Sequence, residues 1–137
     1  MPPLPAALEA WAGRCEQFLA GAQHPADAAH DLAHIRRVVG TATALAAAEN
    51  ADLWIVVPAA WLHDCVIVPK NSPDRARASG MAADAATEFL RGAGYPPEFL
   101  PGIHHAIEAH SFSARIAPRT PEARVVQDAD RLDAIGA

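Results

Sequence analysis

The chain is short of aromatics, lysine and cysteine. Aromatic residues fill 6% of its 137 positions, lysine occurs once, at Lys70, and the two cysteines are Cys15 and Cys65. Two cysteines build no disulfide framework; they read as free thiols, as expected of a cytoplasmic protein. No apolar run approaches the ~20 residues that a membrane-spanning helix needs. The longest, Leu53 to Leu62, contains Pro58 and runs out into His63 and Asp64. The start, Met-Pro-Pro-Leu-Pro, lacks the basic opening of a secretion signal. No glycine-rich phosphate loop is present. No run alternates apolar and polar residues around a hairpin turn, so a β-rich fold is not expected. Repeats, linkers and low-complexity tracts are absent too. The net charge of -5 argues against a general nucleic-acid surface. It leaves room for a small phosphorylated substrate, since a metal ion and a few arginines can supply local positive charge.

What the chain has in quantity is apolar residues, 51% of the total, with alanine prominent among them. Alanine is the best helix former and lets helices pack closely. The length suits one domain with a real core, spanning 1–137. Periodicity predicts helices almost throughout. A first fits about Pro5 to Ala20, with Leu8, Trp11, Cys15, Phe18 and Leu19 along one stripe. A second fits about Asp27 to Glu49, with Ile35, Val38, Val39, Ala42 and Leu45 inward. A third runs from an Asp52 cap to about Cys65; it is apolar almost all round and reads as the central helix, with Pro58 as a kink site. Ser72-Pro73 looks like a cap followed by a first-turn proline and opens a fourth helix to about Arg91. Gly92 and Gly94 end it. A fifth spans about Pro97 to His110. Thr120-Pro121 repeats the cap signal and opens a sixth through Ile135. The expected architecture is an all-α, compact bundle of about six helices.

Chemistry-bearing residues are scattered over these helices. His34 follows His30 by one turn, with Asp31 and Arg37 flanking. His63 and Asp64 are neighbours where the central helix runs out. Neighbours on a helix point about 100° apart, so both reach one ion only near the helix end. An imidazole and a carboxylate buried in an apolar helix also need partners. Asp128, Asp130 and Asp133 crowd one stretch, the last two on a shared face; a metal ion, a basic partner or a solvated acidic face would each account for them. The fifth helix carries His104, His105, Glu108 and His110. Histidine is the usual ligand and the usual acid-base group near neutral pH. Two imidazoles and two carboxylates, His34, His63, Asp64 and Asp130, form a set able to hold a divalent transition metal if the bundle brings them together.

In combination these residues resemble the HD-domain superfamily of metal-dependent phosphohydrolases, and within it a bacterial branch of small stand-alone hydrolases. The pattern is a His, a distant His-Asp pair and a distant Asp. His30-Asp31-Leu-Ala-His34-Ile-Arg-Arg37-Val38 matches the branch's first motif, Leu62-His63-Asp64 its second, and Lys70-Asn71 its third. Ala106-Ile107-Glu108-Ala109-His110-Ser111-Phe112-Ser113 matches the fourth, and Val126 to Gly136 the last. The resemblance implies His34, His63, Asp64 and Asp130 as metal ligands and Asp133 as the group orienting a ligand or a water. It puts His110, with His105, on the substrate side. Arg37 and Lys70 are expected to contact phosphate.

The implied reaction is hydrolysis of a phosphoester or phosphoanhydride, with a nucleotide as substrate, a metal-activated water as nucleophile, and His110 or His105 serving the leaving group. The nucleotide rests on the resemblance alone. Mixed nitrogen and oxygen ligation suits Mn, Fe, Co, Ni or Zn, with Mg also open. Two other readings stay open: a regulatory module that binds metal and nucleotide without turnover, and a di-iron oxygenase. Family members usually continue with further helices past the point where this chain stops, at Ala137. The expectation is a truncated domain with all four ligands present, in which a missing helical layer exposes apolar surface and favours a homodimer.

Overall fold

The computed structural model describes residues 4–22, 25–66, 68, 71–111 and 114–135; the side chains of residues 22–31 are outside this description. Six α-helices occur among the described residues, and no strand: α1 Ala6–Ala22, α2 Pro25–Glu49, α3 Leu53–Leu62, α4 Ala78–Ala93, α5 Leu100–Glu108 and α6 Pro121–Ala134. Short 3₁₀ turns, Arg75–Arg77 and Pro97–Phe99, lead into α4 and α5. The all-α expectation holds. No described helix is long and apolar enough to cross a membrane.

The apolar character of α3 decides its place. Val56 through Leu62 are all buried, and the helix packs against α1, α2, α4, α5 and α6. A helix that is apolar on every side needs neighbours on every side. From α1 come Leu8, Cys15 and Leu19, and from α2 Ile35, Val38 and Ala42, all fully buried. These are members of the predicted stripes, at the three- and four-residue spacing of one helix face. Small residues let the elements approach closely: a Cβ on Gly102 of α5 would come within 2.7 Å of Ile55 Cδ1 on α3.

Pro58 sits inside α3 and lacks the N–H that would bond the Trp54 carbonyl. The hydroxyl of Tyr95 takes over that role, donating to Trp54 O at 2.6 Å. Tyr95 is delivered by the end of α4. Gly94 turns left-handed there (φ 93°), and the Tyr95 N–H bonds back to Leu90 O. A glycine accepts that conformation without the steric cost of a Cβ.

Two caps register α3 with α6. Asp52 Oδ1 accepts from Trp54 N at 2.9 Å, and Thr120 Oγ1 accepts from Ala123 N at 3.1 Å. Glu122 Oε2 then accepts from Asp52 N at 2.8 Å, tying the two helix starts together. With their starts joined, the end of α3 and the later turns of α6 meet, and α2 packs against both.

Some boundaries differ from expectation. The Ser72-Pro73 signal opens a turn rather than the α-helix itself. Ser72 Oγ accepts from Asp74 N, Ser72 O accepts from Arg75 N, and α4 begins only at Ala78. Local serine bonds of this kind offer the backbone an alternative to the helical ladder. Likewise α3 ends at Leu62, not Cys65, because Cys65 N closes a tighter turn onto Leu62 O. The last-motif residue Gly136 lies outside the described residues, as do Ala137, Lys70, Phe112 and Ser113.

Candidate metal centre

Four residues from three elements converge at the end of α3. His63 follows the last residue of that helix and its side chain is 0% exposed; Asp64 is next in the chain and 44% exposed. His34 reaches in from α2 and Asp130 from α6, at 26% and 28% exposure. One ligand atom from each of these four residues lies within 4.8 Å of the others. His63 Nε2 is 3.3 Å from both Asp64 Oδ2 and Asp130 Oδ1, and His34 Nε2 is 3.4 Å from Asp130 Oδ1 and 3.7 Å from Asp64 Oδ2. These gaps exceed the usual hydrogen-bond range. Two atoms each ~2.1 Å from a common tetrahedral ion sit ~3.4 Å apart, close to the separations of these four pairs.

The imidazole tautomers point the same way. His63 Nδ1 is 2.6 Å from Ala60 O, and a carbonyl can only accept, so Nδ1 carries a hydrogen. In the neutral ring Nε2 then holds a lone pair, facing two carboxylates. That nitrogen is buried and has no hydrogen-bond partner. A lone pair opposed to two carboxylates in a buried setting demands a cation, either a proton or a metal ion. His34 repeats the pattern, with Nδ1 2.5 Å from Asp133 Oδ2 and Nε2 turned to the cluster. His110 does so as well: Nδ1 donates to Ile107 O at 2.6 Å, and Nε2 lies 3.6 Å from Asp64 Oδ1. The His63 and His110 rings meet edge-on, with centroids 5.0 Å apart.

The electrostatics follow from this crowding. The facing Asp130 carboxylate, then that of Asp64, lifts His34 to about 10. Burial opposes charge on His63, but Asp64 and Asp130 outweigh it and hold the ring well above the ordinary imidazole value. Burial likewise pushes Asp64 and Asp130 up. The imidazoles reverse that, His63 foremost for Asp64 and His34 for Asp130, and leave both carboxyls far below their usual range. In the metal-free chain the two carboxylates thus favour positive charge on both imidazoles. The donor set, the orphaned Nε2 and the spacing all fit a divalent ion.

Other predicted residues fall in varied places. Asp133, one turn after Asp130, holds the outer nitrogen of His34, and its carboxyl is drawn down to about 2 by Arg37 and then His34. Arg37, expected at phosphate, directs Nε and Nη2 to Asp133 at 2.7 and 3.2 Å. His105, expected on the substrate side, has both its nitrogens engaged within the fold. Nε2 accepts from Arg119 N at 2.9 Å and Nδ1 donates to Glu108 Oε1 at 3.2 Å, so the ring clamps the segment before α6 onto α5. His104 pairs with Asp84 across α4 and α5, and Asp128 is exposed. The side chains of His30 and Asp31 are outside the described residues. Sequence patterns gave no sign of Ala60 O and Ile107 O, which fix two of the rings; a backbone carbonyl carries no residue signature.

A family model described as the HD domain matches residues 31–135. The chain is 38% identical over 112 residues to the uncharacterized protein YpgQ of Bacillus subtilis (strain 168), covering 79% of this chain and 52% of that protein. It therefore spans about half the length of the curated relative it matches. It also resembles, at TM-score 0.70 and 30% identity, the crystal structure of a predicted HD superfamily hydrolase from an uncultured Thermotogales bacterium, over 90% of this chain and 68% of that one.

Proposed function

The chain belongs to the HD-domain family, and from that premise we propose that it is a metal-dependent phosphohydrolase acting on a small phosphorylated substrate, with a nucleotide as the substrate class. The observation that carries the reading is His63 Nε2: buried, without a hydrogen-bond partner, its lone pair set before Asp64 and Asp130. His34, His63, Asp64 and Asp130 would hold the ion, which is Mn, Fe, Co, Ni, Zn or Mg. A divalent ion held there would supply Lewis acidity, lowering the pKa of a water from 15.7 toward about 7 and polarising a phosphoryl oxygen.

The chain's own residues do the rest. His63 is fully buried at the end of α3, with Nδ1 tied to Ala60 O. Asp133 holds His34 by its outer nitrogen, which keeps Nε2 aimed at the ion. Asp64 is the most exposed of the four, so the cluster opens to one side, as a catalytic site requires and a closed structural site does not. His110 is not needed as a ligand. Its Nδ1–H is fixed on Ile107 O, so any proton that His110 passes to a leaving-group oxygen would travel through Nε2, 3.6 Å from Asp64 Oδ1.

The test is release of phosphate and pyrophosphate from a panel of nucleoside mono-, di- and triphosphates with Mn²⁺ added, beside the Asp64→Ala variant. Turnover by the unaltered chain and none by the variant is expected. Metal binding without turnover on any phosphorylated compound would favour a regulatory binding module instead.

A further inference from the structure

His34, His63 and His110 share one arrangement and differ in one part of it. Each gives its Nδ1–H to an oxygen and turns Nε2 toward Asp64 or Asp130. For His63 and His110 that oxygen is a backbone carbonyl three residues back, Ala60 O and Ile107 O. A carbonyl within a helical turn has little freedom of its own. For His34 the oxygen belongs to Asp133, a side chain with two rotatable bonds on another helix. Asp133 also sits in the last turn of α6, where helices fray. Such an anchor needs an anchor itself.

Arg37 provides one. Its Nε donates to Asp133 Oδ1 at 2.7 Å and its Nη2 to Oδ2 at 3.2 Å. Contact at two points fixes the plane of a carboxylate, which a single donor does not. Oδ2 is the oxygen that also takes the His34 Nδ1–H, so the fork directly sets the acceptor that steers the ring. Arg37 and His34 are three residues apart on α2 and share a face, so both reach Asp133 from one helix.

We infer that Arg37 is a positioning residue of the metal centre, acting on His34 through Asp133 and thereby setting the site's affinity and geometry for a divalent cation. This rests on the metal-binding reading above. It replaces the phosphate contact expected from the sequence, because the donors along one edge of the guanidinium already belong to Asp133. Lysine offers a point charge without the fork and would not substitute fully.

The experiment uses the full chain and Co²⁺ alone, whose visible bands report coordination geometry as well as binding. Arg37 is 57% exposed, so its variants should fold. Arg37→Met and Arg37→Lys are expected to bind Co²⁺ roughly 10- to 100-fold more weakly than the unaltered chain, with shifted bands, the range typical for groups that orient a ligand. Asp133→Asn should weaken binding similarly. The Arg37→Met, Asp133→Asn double variant should bind no worse than Asp133→Asn alone, since Arg37 acts through Asp133. Affinity and bands unchanged in both Arg37 variants, with a raised KM for a phosphorylated substrate, would overturn the inference and leave the metal site standing. Absence of Co²⁺ binding by the folded, unaltered chain would overturn both.

Discussion

Asp133 Oδ2 lies 2.5 Å from His34 Nδ1, on the far side of the ring from the cluster. One turn earlier on α6, Asp130 Oδ1 stands 3.4 Å from the opposite nitrogen, Nε2. Two carboxylates spaced i and i+3 thus straddle one imidazole. On the proposed reading the inner one would share a cation site with it, and the outer one would orient it. Their sequence spacing is ordinary; their division of labour comes from where α2 crosses α6.

That division predicts unequal losses. Asp64→Ala would remove a proposed ligand and should abolish metal binding. Asp133→Ala removes only an orienting group and should leave binding intact but roughly 10- to 100-fold weaker. Isothermal titration of both variants checks this. Equal affinity in the Asp133 variant and the unaltered chain would reduce Asp133 to a link between helices.

The pH dependence of stability follows from the same charges. His34 is raised from 6.5 to about 10, so its contribution to metal-free stability is complete below 6.5 and fades as pH climbs toward about 10. Asp64 and Asp130 are depressed, so their contribution is complete above the ordinary 3.8 and fades as pH falls through their folded values. The metal-free chain should therefore be most stable between these limits, in mildly acidic solution. A metal ion competes with protons for the imidazoles, so its stabilising effect should grow with pH. Thermal unfolding with and without Zn²⁺ should show a Tm gap that widens from about pH 5 to about pH 8. A constant gap would mean that binding releases no proton from these rings.

Tyr95 and Pro58 make a separable stability prediction. Tyr95→Phe leaves Trp54 O without its donor and should cost about 1–3 kcal/mol. Pro58→Ala restores a backbone N–H to the same carbonyl. In that background Tyr95→Phe should cost less, and chemical denaturation of the four proteins gives the coupling. Strict additivity would show that the Pro58 gap and the Tyr95 hydroxyl are independent.

Thr120→Ala removes the α6 cap and should lower stability by about 1 kcal/mol, read from the same denaturation curves. A change near zero would show that Pro121 and Glu122 suffice to start the helix.

Much of the fold was legible because its signals are local. The stripes of α1 and α2, the Asp52 and Thr120 caps and the left-handed Gly94 each act over a few residues. The onset of α4 was misplaced because Ser72 can bond its own backbone in two ways, and sequence does not rank them. For the site, residue types and order carried His34, His63, Asp64 and Asp130 into one set, and the fold brings those side chains together. The partners of Arg37 and His105 were not legible. Each depends on a contact across the bundle, Arg37 with Asp133 and His105 with the Arg119 N–H, and no spacing along the chain encodes it.

The central claim is that the buried lone pair of His63 belongs to a metal ion. Elemental analysis of gently purified chain, before and after reconstitution with Mn²⁺, Co²⁺ or Zn²⁺, tests it most directly. The account predicts near-stoichiometric divalent metal that is lost in the Asp64→Ala variant. A folded chain that takes up none of these ions would mean that protons alone hold the cluster together, and the account would be wrong.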